Sequence, residues 1–274
     1  MDSSVQIDMA KQLIPVVVRA GNAVIQIRKN GLRPYLKNDA SPVTAADVAC
    51  EKIINKALSN LYPAIPMIGE ESFSSIQVQA SGSNYCFVVD PIDGTREYIE
   101  GRDDFTVNIA LVADGFPTMG IIYVPASERL FFAAGGQAYE CEAHVGCQSL
   151  RPVPGDAVVI RAEPIVLASR SHCDGKTRAL IEELQPGLVR KLGSSLKLAL
   201  IATGEADIYP RLGPTMTWDV AAGQALVEAA GGVMLCPDGS RLSHLIADGW
   251  RNCGFIAARS PALAERALEL IAAR

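Results

Sequence analysis

The stretch Tyr85-Cys86-Phe87-Val88-Val89-Asp90-Pro91-Ile92-Asp93-Gly94-Thr95 decides the reading of this chain. Tyr85 to Val89 is a short apolar run, which predicts a strand ending at Asp90. Pro91 and Gly94 force a tight turn immediately after it. A strand end is a rigid platform, so the turn can aim two carboxylates, Asp90 and Asp93, at one point. Gly94, lacking a side chain, lets the backbone approach a phosphate closely.

Two other acidic segments belong with this turn. Gly69-Glu70-Glu71-Ser72 follows the apolar Ile65 to Ile68, and far downstream Trp218-Asp219 opens a helix at Val220. If Glu70, Asp90, Asp93 and Asp219 converge, four negative charges share one pocket, which is costly without counter-ions. Hard divalent cations with oxygen ligands are the natural remedy, magnesium first among them. Each acid also has an ordinary reading. Asp93 suits a turn before Gly94. Asp219 suits the positive end of a helix. Asp47 stands three residues after Thr44, as in a capping box with Asp for the usual Glu. Glu70 and Glu71 suit a solvated loop.

Around these motifs the chain has two textures. The first begins with helical spacing of Ile7, Ala10, Ile14, Val17, Gly21 and Val24, with Pro15 inside the pattern. A second helix is expected after Thr44, its apolar stripe running through Val48, Ile53 or Ile54, Ala57 and Leu61. Strands are then expected at Thr106–Val112, Gly120–Val124 and Leu130–Ala134. Asp114-Gly115 and Pro125-Ala126-Ser127 mark turns between antiparallel partners. Beyond residue 160 strands and helices alternate: strands at 165–168, 188–192, 208–209, 233–236 and 255–258, helices at 175–184, 196–203, 220–230 and 262–272. Such alternation implies helices packed on a sheet. The stretch 146–163 is the expected boundary, giving an α+β part over 1–155 and an α/β part over 156–274. The first carries the antiparallel sheet and most of the acids, and the second carries Asp219.

Composition narrows the classes. The 274 residues are 49% apolar and 20% charged, which is globular and long enough for a substantial core. The net charge of −5 argues against a nucleic-acid polymer as partner. No apolar window reaches the ~18–20 residues of a membrane span. Met1-Asp2-Ser3-Ser4 lacks the basic start of a secretory leader. Seven cysteines without a Cys-x-x-Cys pair suit reduced thiols in a cytoplasmic protein. His144, His172 and His244 are too scattered for a histidine-rich zinc site.

Haloacid-dehalogenase-type phosphatases also set acids at a strand end before Gly-Thr, but with one residue between their aspartates. Here Pro91 and Ile92 intervene, which disfavours a phospho-aspartate mechanism. The chain instead resembles the inositol monophosphatase superfamily of metal-dependent, lithium-sensitive phosphatases. The likeness rests on Ser41-Pro42-Val43-Thr44-Ala45-Ala46-Asp47, Gly69-Glu70-Glu71, Asp90 to Thr95, and Trp218-Asp219-Val220-Ala221-Ala222-Gly223, in family order and at family spacing. Within the superfamily it is most similar to the 3′(2′),5′-bisphosphate nucleotidase branch, the CysQ type. Arg96-Glu97-Tyr98-Ile99, Ser169-Arg170-Ser171-His172, Gly193-Ser194-Ser195-Leu196-Lys197 and Tyr209-Pro210-Arg211 carry that likeness. Tyr98 and Ile92 stand where many relatives have Phe and Leu.

The resemblance implies an α/β fold of alternating helix and sheet layers, as in inositol monophosphatase and fructose bisphosphatase, with the site where the two parts meet. It implies two or three magnesium ions on Glu70, Asp90, the Ile92 carbonyl, Asp93 and Asp219. Asp47 and Thr95 are then the pair that activates water, with Glu71 behind them. It implies substrate contacts at Gly94, Thr95, Ser169, His172, Gly193, Ser194, Lys197 and Arg211. The Gly193-Ser194-Ser195 turn precedes a helix, whose amides and hydroxyls can receive an anion. Lys197 in the first turn is unfavourable against the helix dipole unless it faces an anionic ligand. Arg211 suits a phosphate where inositol phosphatases typically carry a carboxylate.

The implied activity is removal of the 3′-phosphate from adenosine 3′,5′-bisphosphate, giving AMP, in sulfate assimilation and nucleotide recycling. Rival readings are an inositol or sugar phosphatase with the same metals, and a non-catalytic nucleotide sensor. A monomer or a homodimer fits, as does a cytoplasmic address, with or without peripheral contact at the inner membrane.

Overall fold

The computed structural model describes residues 1–31, 35–36, 42–72, 84–142, 151–152, 161–244 and 250–274. Ser41, and most of the expected boundary stretch 146–163, lie outside the described residues.

Helix α1 (Ser3–Lys29) runs through Pro15, and α2 (Ala45–Leu61) starts where the Thr44–Asp47 spacing places it. The capping box is complete. Thr44 Oγ1 accepts from Ala46 N at 3.1 Å, and Asp47 Oδ2 accepts from Thr44 N at 2.8 Å. The inward stripe of α2 differs from the expected one. Val48 and Leu61 are 47% and 43% exposed, and the buried row is Ala46, Cys50, Ile54 and Leu58. The cap sets the helix phase, and it turns Asp47 and Glu51 inward beside that row. Between the two helices a short ribbon pairs β1 (Tyr35–Leu36) with β2 (Pro42–Val43).

Strands β3 (Met67–Gly69), β4 (Tyr85–Asp93), β5 (Thr106–Ala113), β6 (Phe116–Val124), β7 (Arg129–Ala134), β8 (Gln137–Glu142) and β9 (Arg151–Pro152) form one seven-stranded sheet in chain order. The β3–β4 pair is parallel and every later pair antiparallel. Asp114 and Gly115, at φ 49° and 83°, make the two-residue turn between β5 and β6. The short helix α3 (Thr95–Ile99) follows directly on β4.

The second half supplies β10 (Ile165–Ser169), α4 (Gly175–Glu183), β11 (Leu188–Leu192), α5 (Leu196–Ala202), β12 (Ile208–Arg211), β13 (Thr215–Met216) and α6 (Thr217–Ala229). It ends with β14 (Val233–Leu235), β15 (Arg251–Asn252), β16 (Phe255–Ala258) and α7 (Pro261–Ala272). A five-stranded sheet runs in the order β11-β10-β12-β16-β14, and β13 pairs separately with β15. Helix α6 begins at Thr217, three residues earlier than expected, so Asp219 lies inside its first turn rather than before it.

Period-two alternation makes these elements into layers. On the seven-stranded sheet Phe87, Val89, Ile109, Ile121 and Phe132 face α1 and α2. Their neighbours Val88, Ala110, Ile122, Phe131 and Ala133 face Leu198 of α5 and Trp218, Ala222 and Leu226 of α6. Leu167, Tyr209 and Ala257 of the second sheet close on the same two helices. Its outer face, Val166, Ala168, Ile208 and Ile256, packs on Leu180 of α4 and Ala264 and Ala267 of α7. The result is helix, sheet, helix, sheet, helix, with the central strands of both sheets buried on both faces and the edge strand β11 exposing Leu188 and Val189. Burial on both faces is why the central strands read as near-continuous apolar runs. Where α6 crosses β6 the backbones nearly touch, and a Cβ on Gly120 would collide with the Ala222 carbonyl oxygen.

His244 anchors the start of α6. Its Nε2 lies 2.7 Å from Gln224 Oε1, and its Nδ1 lies 3.3 Å from Thr217 Oγ1. Gln224 Nε2 donates to Leu242 O and Glu228 Oε1. That assigns Oε1 as the acceptor, so the histidine proton sits on Nε2. Burial pushes the imidazole pKa down to about 4. An unfolded histidine titrates near ~6.5, so as the pH falls the unfolded chain takes up this proton first. The contribution is whole above pH ~6.5 and is lost progressively toward pH ~4, reaching ~3 kcal/mol. Urea unfolding at pH 7.5 and 4.5 should therefore show a smaller drop for His244→Gln than for the parent chain. Equal drops would remove His244 from the account.

Candidate active site

Strand β4 runs three residues past the expected end at Asp90, and its pairing with β5 is irregular between Asp90 and Asp93, where the tight bend expected from Pro91 and Gly94 lies. Asp90 is 1% exposed, and its Oδ1 accepts from Ile92 N at 3.0 Å, folding the chain back over the carboxylate. Gly94 takes φ 88°, in the left-handed region, and so caps α3 without the strain a side chain would bring. Thr95 Oγ1 lies 3.0 Å from Ile92 O and 3.2 Å from Asp47 Oδ1. The capping-box aspartate of α2 is thus tied to the turn after β4, so its capping role leaves one oxygen to Thr95. The other Asp47 oxygen, Oδ2, takes both the amide and the hydroxyl of Thr44. Burial raises the Asp47 pKa against those bonds.

The two glutamates are set by a residue that sequence reasoning passed over. Glu51, buried on α2, accepts from Glu71 N at 2.8 Å. Gly69 leaves the room for it, since a Cβ there would collide with the Glu51 carboxylate. Glu70 N donates to Val89 O, which seats Glu70 beside the end of β4. The only advance signal was the spacing of Glu51 four residues after Asp47.

Asp219 and the Gly193–Ser195 turn arrive from the second half of the chain. Asp219 Oδ2 accepts from Met216 N at 3.1 Å in the first turn of α6. Ser195 N donates to Asp93 Oδ2 at 2.5 Å. Ser195 Oγ bonds Asn108 and Thr106 of β5, each at 2.8 Å. Gly193 N donates to Asp104 Oδ2 at 2.6 Å, and Arg170 Nη1 braces the same carboxylate at 2.7 Å. Two of the amides expected to await an anion are therefore already engaged by carboxylates of the protein. They fasten α5 to the turn after β4 and to Asp104, while Ser194, itself buried, lines the cavity.

A cavity of about 320 Å³ opens over these groups. Glu70, Asp93, Gly94, Thr95, Ser169, His172, Gly193, Ser194, Ser195, Lys197, Arg211 and Asp219 line it, as do Arg96, Glu97, Tyr209 and Phe255, to which sequence reasoning gave no role. Asp47, Glu71, Asp90 and Ile92 are not part of its lining. Asp90 and Ile92 form the buried floor of the turn.

Electrostatically the cavity has two sides. Burial, then the charges of Glu70, Asp93, Asp219 and Asp47, push the Asp90 pKa well above the carboxylate range. Burial and Asp93 push Asp219 up to about 7. Asp93 is raised by burial and held back by Lys197, the Ser195 amide and Arg211. The acids are ranged along the wall: among the described residues no three His, Cys, Asp or Glu side chains close into one cage. Their fields overlap all the same. Four carboxylates and the Ile92 carbonyl are a hard, all-oxygen donor set, which fits a divalent cation such as magnesium and does not fit a soft metal.

On the other side Lys197 is 3% exposed, so it is not a solvated lysine. Its ammonium donates to Ser194 O at 2.5 Å and Leu192 O at 3.3 Å, and lies 5.1 Å from the Tyr209 ring centre. Burial lowers its pKa to about 8. Arg211 Nη2 donates to Pro214 O, while its Nε is buried with no hydrogen-bond partner among the described residues. His172 N is held by Ser169 Oγ at 3.1 Å. Burial, Arg211 and Arg96 lower its imidazole pKa, which keeps the ring neutral near pH 7.

Comparison with known proteins places this architecture. A 3′(2′),5′-bisphosphate nucleotidase CysQ of Salmonella typhimurium is 37% identical over 254 residues, covering 90% of this chain and 98% of that protein. A Nus factor SuhB of Xylella fastidiosa is 32% identical, covering 91% and 90%. The crystal structure of CysQ from Bacteroides thetaiotaomicron superposes with a TM-score of 0.77 at 34% identity, over 92% of this chain and 97% of that one. The inositol monophosphatase family model matches residues 3–274. The chain belongs to the inositol monophosphatase family.

Proposed function

We propose that this protein is a magnesium-dependent 3′(2′),5′-bisphosphate nucleotidase that converts adenosine 3′,5′-bisphosphate to AMP and phosphate in the cytoplasm. One observation carries the reading: a single cavity sets an acidic wall, Glu70, Asp93 and Asp219, against a cationic one, Lys197 and Arg211. A monoester with one phosphate needs only the first wall. A nucleotide with a second phosphate uses both, and the unpaired Arg211 Nε is a donor of the right charge for it.

Two or three magnesium ions held by Glu70, Asp90, the Ile92 carbonyl, Asp93 and Asp219 would neutralise the phosphate, acidify the attacking water and stabilise the leaving alkoxide. The protein's own part begins with Thr95. Its hydroxyl accepts a hydrogen bond from the water and passes its own proton toward Asp47 Oδ1. Asp47 suits this work because burial already raises its proton affinity. Glu71 lies behind it on the Glu51 brace. Water then attacks phosphorus in line with the departing 3′-oxygen, with no phospho-enzyme. Ser169, His172, Gly193, Ser194 and Lys197 hold the nucleotide, Lys197 through the field it sets at Asp93 and through the turn it braces. In this division of labour residues 1–155 hold most of the metal and 156–274 most of the substrate.

Phosphate release with magnesium tests the substrate class. Adenosine 3′,5′-bisphosphate should exceed inositol 1-phosphate and fructose 1,6-bisphosphate by at least ~10-fold in kcat/KM, or about 1.4 kcal/mol. Arg211→Ala should erase most of that margin through KM. A preference for inositol 1-phosphate would keep the metal wall and discard the cationic one. Binding of the nucleotide without turnover would make the protein a sensor.

A further inference from the structure

A second cavity, of about 460 Å³, lies outside the active site and is lined by Pro214, Cys236, Leu242, Ser243, Arg251, Asn252 and Cys253. Two of its side chains are nucleophiles that the phosphatase reading does not use. Cys236 follows β14 and Cys253 sits in the turn between β15 and β16, which pairs with β14 in antiparallel register, Leu235 opposite Ile256. The neighbouring strands bring the two thiols to one cavity wall, where Cys253 helps hold the Cys236 pKa up, and Cys236 N donates to Ser240 O. Cys253 is exposed and Cys236 partly buried. The arrangement is an accessible thiol with a second thiol waiting beside it and a guanidinium on the same cavity wall.

We infer that Cys236 and Cys253 form a reversible disulfide that lowers the activity of the neighbouring site. The oxidant is a hydroperoxide. Cys253 thiolate attacks the peroxide oxygen, the O–O bond breaks, an alcohol or water leaves, and Cys253 becomes a sulfenic acid. Cys236 sulfur then attacks that sulfur, the S–O bond breaks and water leaves, giving the Cys236–Cys253 bond. A dithiol reductant reverses it by exchange. Cys253 is the first to react because it is exposed, whereas burial raises the Cys236 pKa.

The bond reaches the active site through packing. A disulfide needs sulfurs at ~2.05 Å, well inside the separation of two free thiols, so forming it draws the two segments together. The Cys253 backbone has no slack to give. Gly254 takes φ 112° and presses so tightly on β12 that a Cβ there would lie 2.7 Å from Arg211 O and 2.8 Å from Leu212 O. Just before it, Asn252 and Arg251 pair with Thr215 and Met216, and Met216 N is the donor to Asp219. One short segment therefore supports both Arg211 and Asp219, and packed interiors transmit such displacements.

The test uses the full chain, reduced and then exposed to hydrogen peroxide. Tryptic mapping without reductant should show residues 212–241 joined to 252–259, the fragments that carry Cys236 and Cys253. Nucleotide hydrolysis should fall at least threefold in step with the joined fragment and return with dithiothreitol. Cys236→Ser and Cys253→Ser should lose both the joined fragment and the peroxide sensitivity. Cys173→Ser, altering the thiol beside His172, should keep both. Absence of the joined fragment, full activity with it present, or sensitivity abolished by Cys173→Ser would each overturn the inference. The effect on activity rests on the phosphatase reading, while the mapped bond does not. A joined fragment in a chain that hydrolyses no nucleotide even when reduced would fault that reading and the regulatory half of the inference, leaving only the bond.

Discussion

Asp90→Asn should abolish phosphate release, by ~10³-fold or more in kcat, and should at the same time stabilise the protein in the absence of divalent cations. The two effects share one cause. Asp90 is buried within the field of four other acids, and its charge is disfavoured by burial first and then by Glu70, Asp93, Asp219 and Asp47. Asparagine keeps the shape and keeps an Oδ1 acceptor for Ile92 N. What it removes is the charge, and with it the affinity for a hard cation. A carboxyl whose folded pKa is raised destabilises the fold above its unfolded value near ~3.9, more so as the pH rises toward the folded pKa. The gain from asparagine should therefore be largest at pH 7–8 and fade toward pH 4. With about 2–4 °C of Tm per kcal/mol for a chain of this size, relief of even part of the repulsion is measurable. Thermal melts in EDTA at pH 7.5 and 4.5, beside assays in magnesium, check both halves. An active Asp90→Asn chain would dismiss the metal reading. A variant melting below the parent at pH 7.5 would show that the acids are not in conflict.

Thr95→Ala and Asp47→Asn should each cost ~10²–10⁴ in kcat, the usual worth of a positioned acid or base, with little change in KM. The pair acts through one hydrogen bond, Thr95 Oγ1 to Asp47 Oδ1 at 3.2 Å, so the double variant should lose scarcely more than either single one. Thr95→Ser keeps the hydroxyl and should retain most of the activity. A purely structural role is separable. Asp47 also completes the α2 cap, and Asp47→Asn preserves an acceptor for Thr44 N. Stability should then change by less than ~1 kcal/mol while the rate collapses. The acid limb of the parent's pH–kcat profile, set by an Asp47 raised by burial, should vanish in the variant. Fully additive losses would mean that the two residues do not share a proton path.

Much of this was legible in the linear chain because its signals are local. The strand Tyr85–Val89, the turn after it, the Thr44 cap and the Asp114-Gly115 hairpin each depend on residues within a few positions of one another. The two textures gave an α+β part followed by an α/β part, the family resemblance supplied the alternating layers, and the boundaries of the expected elements fall within a few residues of those observed. Helix phase was less legible. The α2 stripe slipped because Val48 and Leu61 are apolar yet face solvent, while Asp47 and Glu51 are charged yet face inward. The Thr44 cap and two partners across the gap, Thr95 for Asp47 and the Glu71 amide for Glu51, compensate that burial.

By itself, the sequence determined the inventory: which acids stand at strand ends, which cations stand near helix starts, and the order of helices and strands along the chain. The tertiary structure alone decided how those groups are spent. It gave the Gly193 and Ser195 amides to Asp104 and Asp93. It buried Lys197 against two carbonyls, enlisted Glu51, and set Cys236 beside Cys253. The physical reason is that burial and partnership are pairwise and long-range. A carboxylate's charge and an amide's partner are settled by the chain that packs against them, often from tens of residues away, and local spacing carries no record of that neighbour.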